Sequence, residues 1–165
     1  MPYFNIVAET SENTVVTEYE PVKKRSDSYQ SEAALEQEFI RLLCEQGYEY
    51  LPIHTEKDLI ANLRKKLEEL NNYQFSDTEW DDFFKNAVAN PNEHIVEKTR
   101  KMQEDNVQVL TRDDGSSKNI TLIDKKNIHN NRLQVINQYV IGTENGAKHD
   151  NRYDVTVLVN GLPLV

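Results

Sequence analysis

Asn131 to Val165 reads NRLQVINQYVIGTENGAKHDNRYDVTVLVNGLPLV, and the fold follows from it. Leu133 to Ile141 alternates in the manner of a strand, with Leu133, Val135, Tyr139 and Ile141 on one face and Gln134, Ile136, Gln138 and Val140 on the other. After a polar loop, a second run from about Arg152 to Val159 leads into Asn160-Gly161. Both central positions of a type I′ turn need φ > 0, which Asn-Gly supplies, so Leu162 to Val165 is expected to return as a third strand. Asp154 stands among Val155, Val157, Leu158 and Val159. A carboxylate in a strand interior loses hydration unless a cation or a donor compensates it. The sequence ends within the returning strand on Leu-Pro-Leu-Val, from which a fragment of a longer protein is expected.

The rest of the composition suits one ordinary globular core: 165 residues, 38% hydrophobic, with 5 Gly and 5 Pro. Its 19 basic and 28 acidic residues give a net charge of -9. That balance argues against a free-standing nucleic-acid binder held by charge alone, and it is compatible with a site for divalent cations. Cys44 is the single cysteine, which excludes a disulfide framework and a cysteine-based zinc site. His54, His94, His129 and His149 are scattered without metal-ligand spacing. No stretch approaches the roughly 18 apolar residues of a membrane span, and Met1 to Thr10 lacks a basic region followed by an apolar run. A cytoplasmic location is the expectation.

Upstream of the core, Phe4 to Val7 and Asn13 to Glu20 read as short strands, followed by a linker with the basic triplet Lys23 to Arg25. Ser31 is placed to cap a helix carrying Leu35, Phe39, Leu42 and Leu43, with Gly47 to end it. Its apolar stripe is expected to pack on the sheet. A brief strand follows Gly47. Thr55 and Asp58 open a helix to about Leu70, closed by Asn71-Asn72, and Ser76-Asp77-Thr78-Glu79 is a full capping box before Trp80, Phe83, Phe84 and Val88. That aromatic stripe reads as core. Asn90-Pro91 is expected to open a further helix to about Asp105. Val107 to Thr111 and Ile120 to Asp124 are expected as a hairpin around an Asp113-Asp114-Gly115 surface turn. The class is therefore α/β: a mixed β-sheet flanked by helices, with residues 1–30 as N-terminal strands and linker, 31–165 as the main domain, and a helical insert over about 55–105.

The strings N-R-L-Q-V-I-N-Q-Y and R-Y-D-V-T-V-L-V-N-G-L-P-L-V resemble the N-terminal nuclease domain of the restriction (R) subunit of type I restriction-modification enzymes, a PD-(D/E)xK fold. The resemblance is tight over Asn131 to Val165 and looser from about Ser31. It matches Asp154 to the family's strand Asp, with Tyr153 in place of the usual Pro. It also implies an acidic residue from the first helix, for which Glu36 is favoured over Glu32, and a Glu-x-Lys on the next strand, a few residues past Val165. Gln134 and Gln138 are accessory candidates for contact with metal-bound water or the DNA backbone. From the pattern alone, Asp154 reads sooner as a structural carboxylate bonded to Arg152 or Arg132, a preference that the family string reverses, and Glu36 reads equally as a solvated flank.

The resemblance implies that a parent protein cleaves double-stranded DNA with Mg2+ at this site and translocates it with ATP, in a complex with modification (M) and specificity (S) subunits. No Gly-x-x-x-x-Gly-Lys-Ser/Thr string occurs here, so the ATP site is expected outside this segment. Without the Glu-x-Lys, the segment alone is expected to be inactive. The rivals are a nuclease-like protein-interaction module that has lost activity, which an altered Glu-x-Lys would mark, and an unrelated acidic binding module.

Overall fold

The computed structural model describes the backbone of residues 3–9, 15–20, 31–141 and 151–163, and the side chains of 31–138 and 154–163. The basic triplet at 23–25, the 142–150 loop with His149, the Arg152 side chain and the final two residues lie outside the described residues. The chain divides into two compact units, Met1–Glu32 and Ala33–Val165. In the first, β1 (Tyr3–Glu9) and β2 (Val15–Glu20) pair antiparallel, with a register shift between Ile6 and Ala8.

The second unit is built on a four-stranded mixed sheet in the order β3-β6-β7-β8. Strand β3 (Glu49–Tyr50) runs parallel to β6 (Leu133–Ile141), whereas β7 (Asn151–Val159) and β8 (Leu162–Pro163) continue antiparallel. Asn160 (φ 53°) and Gly161 (φ 83°) adopt the two left-handed positions of the expected tight turn. Both residues do more than turn the chain. A Cβ on Gly161 would lie 2.6 Å from Leu63 Cα, so the turn sits directly on a helix backbone. Asn160 is buried, its amide donating to Leu122 O (3.0 Å) and Asn131 Oδ1 (2.8 Å) and accepting from Arg132 N (2.8 Å).

Helix α1 (Glu32–Glu45) ends in a Schellman motif, with Tyr48 N bonded to Leu43 O, Gly47 N to Cys44 O, and Gly47 at φ 94°. Its orientation differs from expectation. Leu35, Phe39 and Leu42 are 53%, 49% and 42% exposed, and only Leu43 of the stripe is buried. Glu36, Ile40 and Leu43, the face one residue further round, are the more enclosed positions. One residue of helix rotates the seam by about 100°, which brings a carboxylate towards the sheet in place of apolar side chains.

The helical insert is α2 (Glu56–Asn71), α3 (Asp77–Phe83), a π-helical turn at Phe84–Val88, and α4 (Ile95–Gln103). Thr55 caps α2 by accepting from Asp58 N (3.2 Å), and Asn72 closes it in the left-handed region at φ 46°. Ser76 and Glu79 complete the reciprocal capping box. The further helix starts at Ile95 rather than Pro91, because Asn90 Oδ1 accepts from Asn92 N (3.0 Å) and holds residues 90–93 in a turn. The next strands, β4 (Val107–Thr111) and β5 (Ser117–Thr121), form a separate hairpin, β5 starting three residues earlier than the hydrophobic run suggested. The Arg112–Ser116 turn, closed by Arg112 N to Ser116 O (2.8 Å), sets that start.

Two cores result. Leu63, Leu67, Phe75, Trp80, Phe83 and Leu110 pack with Ile120, Leu122 and Leu162, so the aromatic stripe is core as its spacing indicated. Ile53, Ile136 and Leu158 form a second cluster against Leu51 and Leu59. Helix α2 serves both.

Candidate functional site

The site forms where β6 departs from regular strand geometry. Asn137 pairs with Val155 and Tyr139 with Tyr153, and the β6–β7 ladder skips the positions between these pairs, Gln138 on β6 and Asp154 on β7. Gln138 has φ 57°, a left-handed conformation that costs a residue with a Cβ roughly 1–2 kcal/mol. In a regular strand consecutive side chains leave on opposite faces. Here both neighbours reach one carboxylate, since Asn137 Nδ2 donates to Glu36 Oε1 (2.7 Å) and Gln138 Nε2 donates to Glu36 Oε2 (2.6 Å). Tyr50, half-exposed on the adjoining β3, donates its hydroxyl to Asn137 Oδ1 (2.8 Å).

Of the candidates read from the sequence, Glu36 and Gln138 are thus bonded together, and Asp154 is the β7 position that the ladder skips along with Gln138. Asp154 is exposed, so the desolvation argument made for it does not apply. Glu32 is exposed in the first turn of α1, and the amide contacts are made by Glu36. Gln134 is placed elsewhere. It is fully buried, donating to Glu49 Oε2 (3.0 Å) and accepting from Asn62 Nδ2 (3.0 Å). The left-handed residue at 138 turns that side chain away from the face its even-numbered position shares with Gln134.

Around Gln134 lies a second polar cluster. The Gln134 amide, helped by the Lys66 charge, holds Glu49 below the usual carboxylate range. Lys66, largely buried, lies 3.1 Å from Glu69 and 3.6 Å from Glu49. This cluster borders a cleft lined by Gly47, Glu49, Lys66, His129, Arg132 and Leu133, in which neither Glu36 nor Asp154 takes part.

The sequence reading missed Asn137 and Tyr50. The signal for Asn137 was present, because Asn is depleted in strands and here it precedes a second amide. Tyr50 carried none, since its role depends on β3 adding parallel to β6. Among the described residues no three His, Cys, Asp or Glu side chains gather as a metal cluster. The donor chemistry of Glu36 and Asp154 is that of hard carboxylate oxygens, which suits Mg2+, a cation that keeps several waters and needs one or two protein carboxylates. His54, His94 and His129 are exposed.

A mixed α/β sheet thus receives a helix carboxylate, Glu36, at Gln138 of β6, where the ladder to β7 skips Asp154. Residues 29–165 match the family described as type I restriction enzyme R protein N terminus, and the chain belongs to that family. It is 46% identical over 160 residues to the type I restriction enzyme EcoprrI endonuclease subunit of Escherichia coli, covering 96% of this chain and 50% of that protein. It is 34% identical over 142 residues to the type I restriction enzyme SsaAORF53P endonuclease subunit of Staphylococcus saprophyticus (83% of this chain, 14% of that protein). With the SauMSSORF170P endonuclease subunit of Staphylococcus aureus it shares 36% identity over 143 residues, 84% of this chain and 14% of the relative. The chain therefore spans half the length of the first relative and 14% of the other two.

Proposed function

We propose that this chain supplies part of the nuclease site of a type I restriction R subunit, whose complete protein cuts double-stranded DNA with Mg2+ and moves it with ATP. The observation that carries the reading is the bond of Gln138 to Glu36 at the point where the β6–β7 ladder skips Gln138 and Asp154, in a chain of this family. Glu36 and Asp154 would hold the cation. Bound magnesium would supply Lewis-acid stabilisation of the scissile phosphate and an activated water. The protein's own part is to fix the two carboxylates and to keep the amides of Asn137 and Gln138 beside them as neutral donors.

The β7–β8 register supports the placing of a Glu-x-Lys on the next strand. Leu158 faces Pro163 and Val159 faces Leu162. Continued at one-to-one pairing, the antiparallel ladder brings positions about two residues past Val165 opposite Asp154. ATP binding belongs outside this segment, partners would be DNA and the M and S subunits, and the cytoplasm is the fitting compartment. No helix among the described residues is long and apolar enough to cross a membrane.

The test is Asp154→Ala in the longest protein that carries this segment. Mg2+-dependent DNA cleavage is expected to vanish while ATP hydrolysis persists. Retained cleavage would refute the assignment. The second reading, a nuclease-like interaction module, draws on the exposed Leu35, Phe39 and Leu42 of α1, and the same assay favours it if the unaltered protein hydrolyses ATP without cutting.

A further inference from the structure

We infer that Tyr50, Asn137 and Gln138 form an amide clamp that positions the Glu36 carboxylate for a divalent cation, an inference that rests on the metal-site reading above. Each Glu36 oxygen accepts one amide N–H, from Asn137 at 2.7 Å and from Gln138 at 2.6 Å. Two donors, one per oxygen, fix the plane of the carboxylate as well as its place, as a bidentate fork does.

Tyr50 decides which way the Asn137 amide points. Its hydroxyl donates to Asn137 Oδ1, which leaves the NH2 end facing Glu36. A flipped Asn137 would set oxygen against oxygen. The left-handed Gln138 is what allows two consecutive residues to act on the same group, and a strained residue of this kind is maintained only where surrounding contacts hold it. Tyr50, Asn137 and Gln138 are thus positioning residues, acting on the cation through Glu36. Outer-shell partners of this sort change metal affinity by about 10–100-fold when removed.

Two measurements on this chain test the assignment. Without metal, the side-chain amide NMR signals of Asn137 and Gln138 are expected to move in Glu36→Gln, and that of Asn137 to move in Tyr50→Phe. Unmoved signals overturn the clamp. With Mn2+ as the probe, followed by water-proton relaxation, Tyr50→Phe and Asn137→Ala are each expected to weaken binding about 10-fold. The double variant should be no weaker than Asn137→Ala alone, because Tyr50 acts only through Asn137, and urea midpoints should change little. Unaltered Mn2+ affinity in both single variants, alongside loss in Asp154→Ala, overturns the clamp and leaves the metal site standing. Effects of Tyr50 and Asn137 that multiply also overturn it. Binding that survives Asp154→Ala, or no binding by the unaltered chain, removes the metal-site reading and the clamp with it.

Discussion

Gly161→Ala tests how the strand hairpin is seated on the helical insert. At φ 83° the residue is in the left-handed region, and its missing Cβ would meet Leu63 Cα at 2.6 Å, Leu63 N at 3.0 Å and Asn62 Nδ2 at 3.2 Å. An alanine there carries two penalties. The left-handed conformation costs about 1–2 kcal/mol, and forcing helix α2 away from the turn costs about 1–3 kcal/mol, as for other overpacked sites. The sum, about 2–5 kcal/mol, is a large share of the roughly 5–15 kcal/mol by which a domain is stable. Movement of α2 also strains the Asn62–Gln134 bond and loosens Leu63 and Leu67 from the larger core. Gly115 provides the control. Its φ is 80°, with nothing within 4 Å of an added Cβ, so Gly115→Ala carries only the conformational cost of about 1–2 kcal/mol. Urea unfolding followed by fluorescence of Trp80, the one tryptophan and a buried core residue, measures both. Equal losses in the two variants would refute the close approach of turn and helix.

Asn160→Gly is expected to destabilise by about 2–4 kcal/mol even though glycine suits φ 53°, because Leu122 O, Asn131 Oδ1 and Arg132 N lose their partner; urea unfolding within experimental error of the parent would contradict that. Glu79 accepts from the Tyr73 hydroxyl, Ser76 N and Asp113 N, and these bonds, the Tyr73 bond foremost, hold its pKa below the ordinary carboxylate value. A carboxylate whose folded pKa is depressed contributes stability above its unfolded pKa, about 4.3, and loses that contribution as pH falls through the folded value. Glu79→Gln should therefore melt below the parent at pH 7, by about 1–2 kcal/mol, with the gap closing below about pH 4; a gap independent of pH would show that the charge is not what matters. This chain by itself is expected to show no Mg2+-dependent nicking of plasmid DNA, and nicking that disappears in Asp154→Ala would overturn that expectation.

Much of the architecture was legible because it is local chemistry. Alternation in Leu133 to Ile141, the Asn160-Gly161 turn, the Thr55 cap and the Ser76–Glu79 box each depend on residues within a few positions of one another, and so a linear reading finds them. The family resemblance matches Asp154 through its string and implies an acidic residue on the first helix, with Glu36 favoured for its place beside the apolar stripe. The start of α4 falls at Ile95 and not at Pro91 because the Asn90 side chain captures the backbone that Pro91 could have fed into a helix.

What required the tertiary structure were the relations between segments far apart in the chain. The stripe Leu35, Phe39 and Leu42 predicts a buried face, yet the helix seats on Glu36, Ile40 and Leu43, because the free energy of a helix face is set by what it meets and not by its own pattern. Gln134 and Gln138 have the same strand parity and the same side chain, but one is sealed against Asn62 and Glu49 while the other turns to Glu36. The difference is a single left-handed residue, an unfavourable local state held in place by bonds to a helix about a hundred residues away in sequence. Sequence by itself determined which groups are available; the packing of α1, β3 and β6 decided which of them meet, since only a folded backbone can hold a strained residue against its own local preference.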